Sequence, residues 1–128
     1  MLLTINDQDQ RPVYLQIANQ VKEQIMRGEL KQGDELPSVR DLAESLEINM
    51  HTVRHAYGVL QEQKIVVTRL GRGTRVAKLR NGPPSAEEAG LVIGERLKEL
   101  ITEAYLIGMS TEDFRQMVDE NIKKQGMH

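Results

Sequence analysis

Apolar positions along the chain fall into three helical stripes, a β-like stretch and two further helical stripes. Val13, Ile17, Val21 and Ile25 recur every four residues, with Leu15, Ala18 and Met26 beside them. That spacing predicts an amphipathic helix of about 15 residues that starts at Pro12 and ends before Gly28. GELKQGDELP, with two glycines and a proline, reads as a connector. Ser38, with Asp41 three residues on, has the form of an N-cap and its partner; it opens a short helix burying Val39, Leu42, Ala43 and Leu46. Asn49 is a good cap for a third helix, in which Val53, Ala56, Tyr57 and Leu60 fall at i, i+3, i+4 and i+7 and face the core. After Gln63 the period changes. IVVT, RLGRG and TRVA describe two short strands around a glycine-containing turn.

Asn81-Gly82-Pro83-Pro84 is the clearest break in the pattern. Beyond it, Ser85 with Glu88 and Ser110 with Asp113 repeat the capping signature. The first opens a helix carrying Ile93, Leu97, Leu100, Ile101 and Ala104 on one stripe, ended by Gly108. The second opens a last helix with Phe114, Met117, Val118 and Ile122. The expected fold is mainly α with a small β-hairpin: a domain over 1–80, a linker over 81–84 and a two-helix region over 85–128.

Charge sharpens this picture. The chain of 128 residues has a formal net charge of −2, but residues 1–80 hold 12 Lys and Arg against 10 Asp and Glu, and residues 81–128 hold 5 against 9. Lys64 to Arg80, the hairpin region, has six basic residues and no acid. A phosphate-tracking surface depends on such local concentration rather than on the total. There are no cysteines, which excludes disulfides and thiolate metal sites and suits a reducing cytoplasm. No apolar run approaches the ~20 residues of a membrane span, and MLLTINDQDQRP lacks the basic start of a secretory signal.

Three helices followed by a basic hairpin is the element order of a winged helix-turn-helix, whose third helix enters the DNA major groove with its N-terminal residues leading. The side of the third helix away from its core holds the polar residues. Arg54 suits the two major-groove acceptors of guanine. Met50, His51 and Thr52 in the first turn, and His55 one turn on, lie within reach of a phosphate or a base edge. Arg40 places a cation at the positive end of the second helix, an unfavourable position that a phosphate would offset. Arg69, Arg72 and Arg75 suit the sugar-phosphate rail or a narrow minor groove, and Gly71 and Gly73 let the hairpin tip approach a backbone.

Short motifs carry a resemblance. Y-x-Q-I at Tyr14–Ile17, G-x-L-K-x-G-D-x-L-P-S-x-R at Gly28–Arg40, D-L-A at Asp41–Ala43, T-V-R at Thr52–Arg54 and G-R-G-T at Gly71–Thr74 resemble the DNA-binding domain of the GntR family of bacterial transcription regulators. The resemblance implies that Arg40, His51, Thr52, Arg54 and Gly71 contact operator DNA. Where members of the family usually carry a glycine, near Gln63-Lys64, this chain has none. The short two-helix tail resembles the YtrA-like branch, whose members dimerise through it and often regulate ABC-type transporter operons encoded beside them. The expectation is therefore a cytoplasmic homodimeric regulator of double-stranded DNA, acting as a repressor at an inverted repeat, with no cofactor and no catalytic activity.

Other readings of the same residues stand beside this one. His51 and His55 at i, i+4 match the spacing of a helical metal pair, though no glutamate base lies between them as in H-E-x-x-H. A winged helix can also serve as a protein-interaction module without DNA. No nucleophile has a base placed beside it, and Ser38, Ser85 and Ser110 read as caps.

Overall fold

In the computed structural model, residues 1–78, 80 and 82–126 are described; Asn81, the first residue of the expected linker, lies outside them. The chain forms two compact units, Met1–Leu79 and Arg80–His128.

The first unit opens on helix α1 (Val13–Met26), preceded by Pro12 in extended backbone. Helices α2 (Val39–Leu46) and α3 (Met50–Glu62) follow, then strands β1 (Val66–Arg69) and β2 (Gly73–Val76). Ile17, Ala18 and Val21 of α1, Leu42 and Ala43 of α2, and Val53, Ala56, Tyr57 and Leu60 of α3 form one buried cluster. Leu30 and Leu36 of the connector and Val66 and Val76 of the hairpin complete it. Only Tyr57 among these is aromatic, so the core is close-packed from aliphatic side chains.

The connector does more than turn. The Gly33 N–H donates to the Val76 carbonyl at 2.9 Å, the Val76 N–H to the Asp34 carbonyl at 2.9 Å, and the Leu36 N–H to the Thr74 carbonyl at 2.8 Å. Residues 33–36 thus add a third rung to the antiparallel pair, in which Val66 faces Val76 and Arg69 faces Gly73. A two-stranded ribbon of four-residue strands is marginal by itself; here it is laid against a neighbouring segment and the core.

The N-terminal segment, to which the apolar pattern assigns no element, is held by glutamines at every fourth position of α1. The Gln24 side-chain amide donates to the Leu2 carbonyl at 2.7 Å. Gln20 both accepts from the Thr4 N–H at 3.0 Å and donates to the Thr4 carbonyl. Gln16 accepts from the Asn6 N–H at 3.0 Å and donates to the Arg11 carbonyl at 3.1 Å. Gln16 and Gln24 are buried, and these bonds supply the partners that buried amides require. Leu3 and Ile5 are thereby pressed onto the core.

In the second unit, helix α4 (Ala86–Ala89) runs through a π turn at Gly90–Gly94 into α5 (Glu95–Leu106), and α6 (Thr111–Gln125) follows. The sequence pattern predicts one regular helix here; the wide turn falls where glycines flank Leu91, Val92 and Ile93, a weak helix-forming stretch. Ser85 and Ser110 accept from the Glu88 and Asp113 N–H groups, as their spacing predicts. The Glu88 carboxylate pairs with Arg80. That pairing and its hydrogen bonds hold the Glu88 carboxyl below its ordinary range.

Lys64 follows α3 at φ 61°, in left-handed backbone, and the Ile65 N–H closes back onto the Leu60 carbonyl. This is where the resemblance leads one to expect glycine, and a side chain there is strained. Lys64→Gly is expected to raise the free energy of unfolding by about 0.5–1 kcal/mol. Urea denaturation with an unchanged m-value checks this; an unchanged or lower midpoint would show that the lysine carries no strain.

Candidate nucleic-acid interface

The turn that sets α3 against α2 is built from local rules. Glu47 ends α2 in left-handed backbone at φ 56°, and the Ile48 N–H reaches the Ala43 carbonyl at 3.0 Å. The Asn49 side chain then accepts from the His51 N–H at 2.7 Å and starts α3. At the other side of the turn, the Tyr57 hydroxyl donates to the Pro37 carbonyl at 2.7 Å. Tyr57 is buried, and burial pushes its phenol well above its ordinary value. The phenol therefore stays a neutral donor that ties α3 to the residue before the Ser38 cap.

With Val53, Ala56, Tyr57 and Leu60 turned inward, His51, Arg54, His55 and Gly58 are left exposed, and Thr52 half-buried. Met50 is half-buried and packs against the core. Arg54 Nη1 lies 3.2 Å from His51 Nδ1. A guanidinium can only donate, so Nδ1 is the acceptor in this contact. The two side chains form one hydrogen-bonded group on the outer side of α3. The His55 ring stacks on Tyr14 of α1, with centroids 3.8 Å apart and planes 18° from parallel. Tyr14, which packs against the core, is thus also the support of an imidazole. Its ring, His51, Thr52 and His55 line one shallow cleft with Pro12 and Val13. The metal-pair reading is not favoured by this geometry: the Arg54 cation sits on one imidazole and a phenol ring covers the other.

Ser38 accepts from the Asp41 N–H at 3.0 Å, and Arg40 beside it is exposed. On the hairpin, Arg69, Arg72, Gly73 and Arg75 line a second cleft with Gly33 and Lys78. Among the described residues, no carboxylate forms an ion pair with Arg40, Arg54, Arg69 or Arg72. Gly71, at φ 77°, sits in the hairpin turn, where the Arg72 N–H donates to the Arg69 carbonyl at 2.9 Å.

Arg75 departs from the expectation of a rail contact. Its Nη1 donates to the Gly33 carbonyl at 3.0 Å and its Nη2 lies 3.5 Å from Glu35 Oε2. Gly73 departs as well: a Cβ there would sit 2.8 Å from Glu35 Oε1, so the glycine makes room for the protein's own carboxylate. Sequence reasoning also passes over Leu70, which is fully exposed at the tip between Arg69 and Arg72. The signal for it is an apolar residue in a hairpin turn.

Comparison with known proteins agrees with this geometry. Residues 13–76 match the family described as bacterial regulatory proteins, gntR family. The chain is 36% identical over 120 residues to the HTH-type transcriptional repressor YtrA of Bacillus subtilis, covering 93% of this chain and 91% of that protein. A crystal structure of a transcriptional antiterminator from Listeria monocytogenes EGD-e is similar at a TM-score of 0.88 and 30% identity, over 98% of this chain and 92% of that one. The AraR DNA-binding domain, crystallised in complex with operator ORE1, is similar at a TM-score of 0.51 and 25% identity, over 60% of this chain and 94% of that one.

Two outcomes are expected of the cations. Arg54→Ala should cost about 1–3 kcal/mol of discrimination between a selected duplex and a random one; equal losses on both would assign Arg54 to a phosphate. Arg72→Ala should weaken binding to every sequence and reduce the slope of log affinity against log salt by roughly 0.9 for each phosphate it no longer neutralises. A salt titration that kept its slope would remove the hairpin from the interface.

Proposed function

The chain belongs to the gntR family of bacterial regulatory proteins, and from that premise we propose that it is a homodimeric repressor whose two winged helix-turn-helix units read an inverted-repeat operator. As a member of the family it is a DNA-binding transcriptional regulator and not an enzyme. The observation that carries the finer reading is the set of uncommitted cations. Arg40 at the start of α2, Arg54 bonded to His51 on α3, and Arg69 with Arg72 on the hairpin are exposed, with no carboxylate neutralising them among the described residues. Their guanidinium groups are open to another anion. Arg54 and His51 serve as the base-reading pair, Thr52 and Arg40 as phosphate ligands, and Arg69 and Arg72 as the minor-groove or backbone contacts of the wing. His55, stacked on Tyr14, positions the face that His51 presents.

The second unit supports the dimer. Leu97, Leu100, Ile101, Tyr105, Met117 and Ile122 of α5 and α6 are exposed, and a groove of about 380 Å³ between the two helices is lined by Leu97, Ile101, Met109 and Phe114. Two short helices with this much open apolar surface gain a core by pairing with a second copy. Two-fold symmetry in the protein then calls for two half-sites, with the paired α3 helices about 34–36 Å apart. The resemblance to the short-tailed branch extends the proposal to the target, an ABC-type transporter operon encoded near the regulator's own gene. No helix among the described residues is long and apolar enough to cross a membrane.

Ile101→Glu places a carboxylate on the exposed apolar stripe of α5 and tests the dimer. The full-length variant is expected to sediment as a monomer, to keep its affinity for a single half-site and to lose most of its affinity for the paired site. A variant that stayed dimeric would move the interface away from α5.

A further inference from the structure

Glu35 and Arg75 are not absorbed by the reading above, and their surroundings are densely bonded. Glu35 is the residue of the connector that bridges directly to Arg75 of β2. Three backbone hydrogen bonds, from Gly33, Leu36 and Val76, run along this edge. The Arg75 guanidinium then spans both ends of the rung, donating to the Gly33 carbonyl at 3.0 Å and approaching Glu35 Oε2 at 3.5 Å. The other Glu35 oxygen lies 2.8 Å from where a Cβ of Gly73 would be. Gly73, at φ 73°, is the residue after Arg72. One carboxylate therefore approaches the Arg75 guanidinium and occupies the space a side chain at Gly73 would fill.

The geometry points to a brace: Glu35 and Arg75 are positioning residues that fix the hairpin's tip, and so Arg72, against the segment leading into α2. The segment concerned continues through Leu36 and Pro37 to the Ser38 cap and Arg40, and Pro37 is held to α3 by the Tyr57 hydroxyl. The wing and the recognition helix are thus joined through a single stretch of seven residues, from Asp34 to Arg40. The backbone rungs and the buried Val66 and Val76 hold the ribbon in place; without the side-chain pair its four-residue strands have less to steady them, and Arg72 would then contribute to binding in fewer encounters. Arg75 itself needs no contact with DNA in this scheme. Four cations line the cleft on this side of the hairpin, and among the described residues Arg75 alone of the arginines there has a carboxylate partner.

The brace rests on the proposal that the wing meets DNA, and a double-mutant cycle separates the two. The probe is a duplex enriched from a randomised pool by the full-length wild-type chain. Arg75→Gln is expected to weaken binding to that duplex about fivefold, the scale of an exposed charge pair, and to have no effect in an Arg72→Ala background. Glu35→Gln should weaken binding in the same way, although removing a negative charge close to a polyanion would otherwise tighten it. Thermal melting of each variant, within a few degrees of wild type by expectation, shows that the losses are not unfolding; Arg75→Lys, which keeps the charge but cannot span both oxygens, should fall between. A loss from Arg75→Gln that persists undiminished beside Arg72→Ala would make Arg75 an independent phosphate ligand and overturn the brace, as would tighter binding by Glu35→Gln. Failure to enrich any duplex would instead overturn the DNA-reading proposal itself, and the brace with it.

Discussion

Val53, Ala56 and Leu60 are wholly buried and Tyr57 nearly so, and the orientation of α3 follows from that burial. A helix has one side that can be removed from water, and committing these four to the core leaves His51, Arg54 and His55 no choice of direction. The burial alone sets the helix's roll. Its tilt is set by polar contacts at either end: Asn49 capping the first turn, and the Tyr57 hydroxyl gripping the Pro37 carbonyl from the side. An apolar core with a single aromatic thus relies on one phenol to register two helices against each other.

How much of this is legible in the sequence depends on the range of the interaction. Ser38, Asn49, Ser85 and Ser110 are bonded to N–H groups two or three residues away, and such caps announce themselves in any sequence. The core residues of α1, α2 and α3 follow their 3.6-residue period. The partners of Arg75 escape the sequence because they lie 40 and 42 residues earlier; a basic residue on a basic hairpin carries no mark of such a bond. The Tyr14–His55 stack joins α1 to α3 in the same manner. The glutamines of α1 are visible but mute, since spacing of four on a polar side ordinarily means exposure to solvent. The turn at Gly90–Gly94 is hidden for a different reason: periodicity counts residues and cannot see one turn wound wide.

The division of charge gives the two units opposite tasks. The first is cationic where its arginines are unpaired, while the second carries nine acidic residues against six basic ones. An acidic tail is repelled by a polyanion. The net charge of the whole chain nevertheless stays near zero, at −2.

The wide turn in the second unit has a consequence for how this chain tolerates change in length. Five residues complete a turn that a regular helix closes with fewer. One residue there is consequently surplus, and the helix holds it as slack. Deleting a single residue between Gly90 and Gly94 would let the turn tighten to a regular one without breaking the helix, and α4 would keep nearly the same facing about the axis of α5. A one-letter deletion at this site, ordinarily ruinous inside a helix, is absorbed by the turn, and the side chains on either side of it keep their faces.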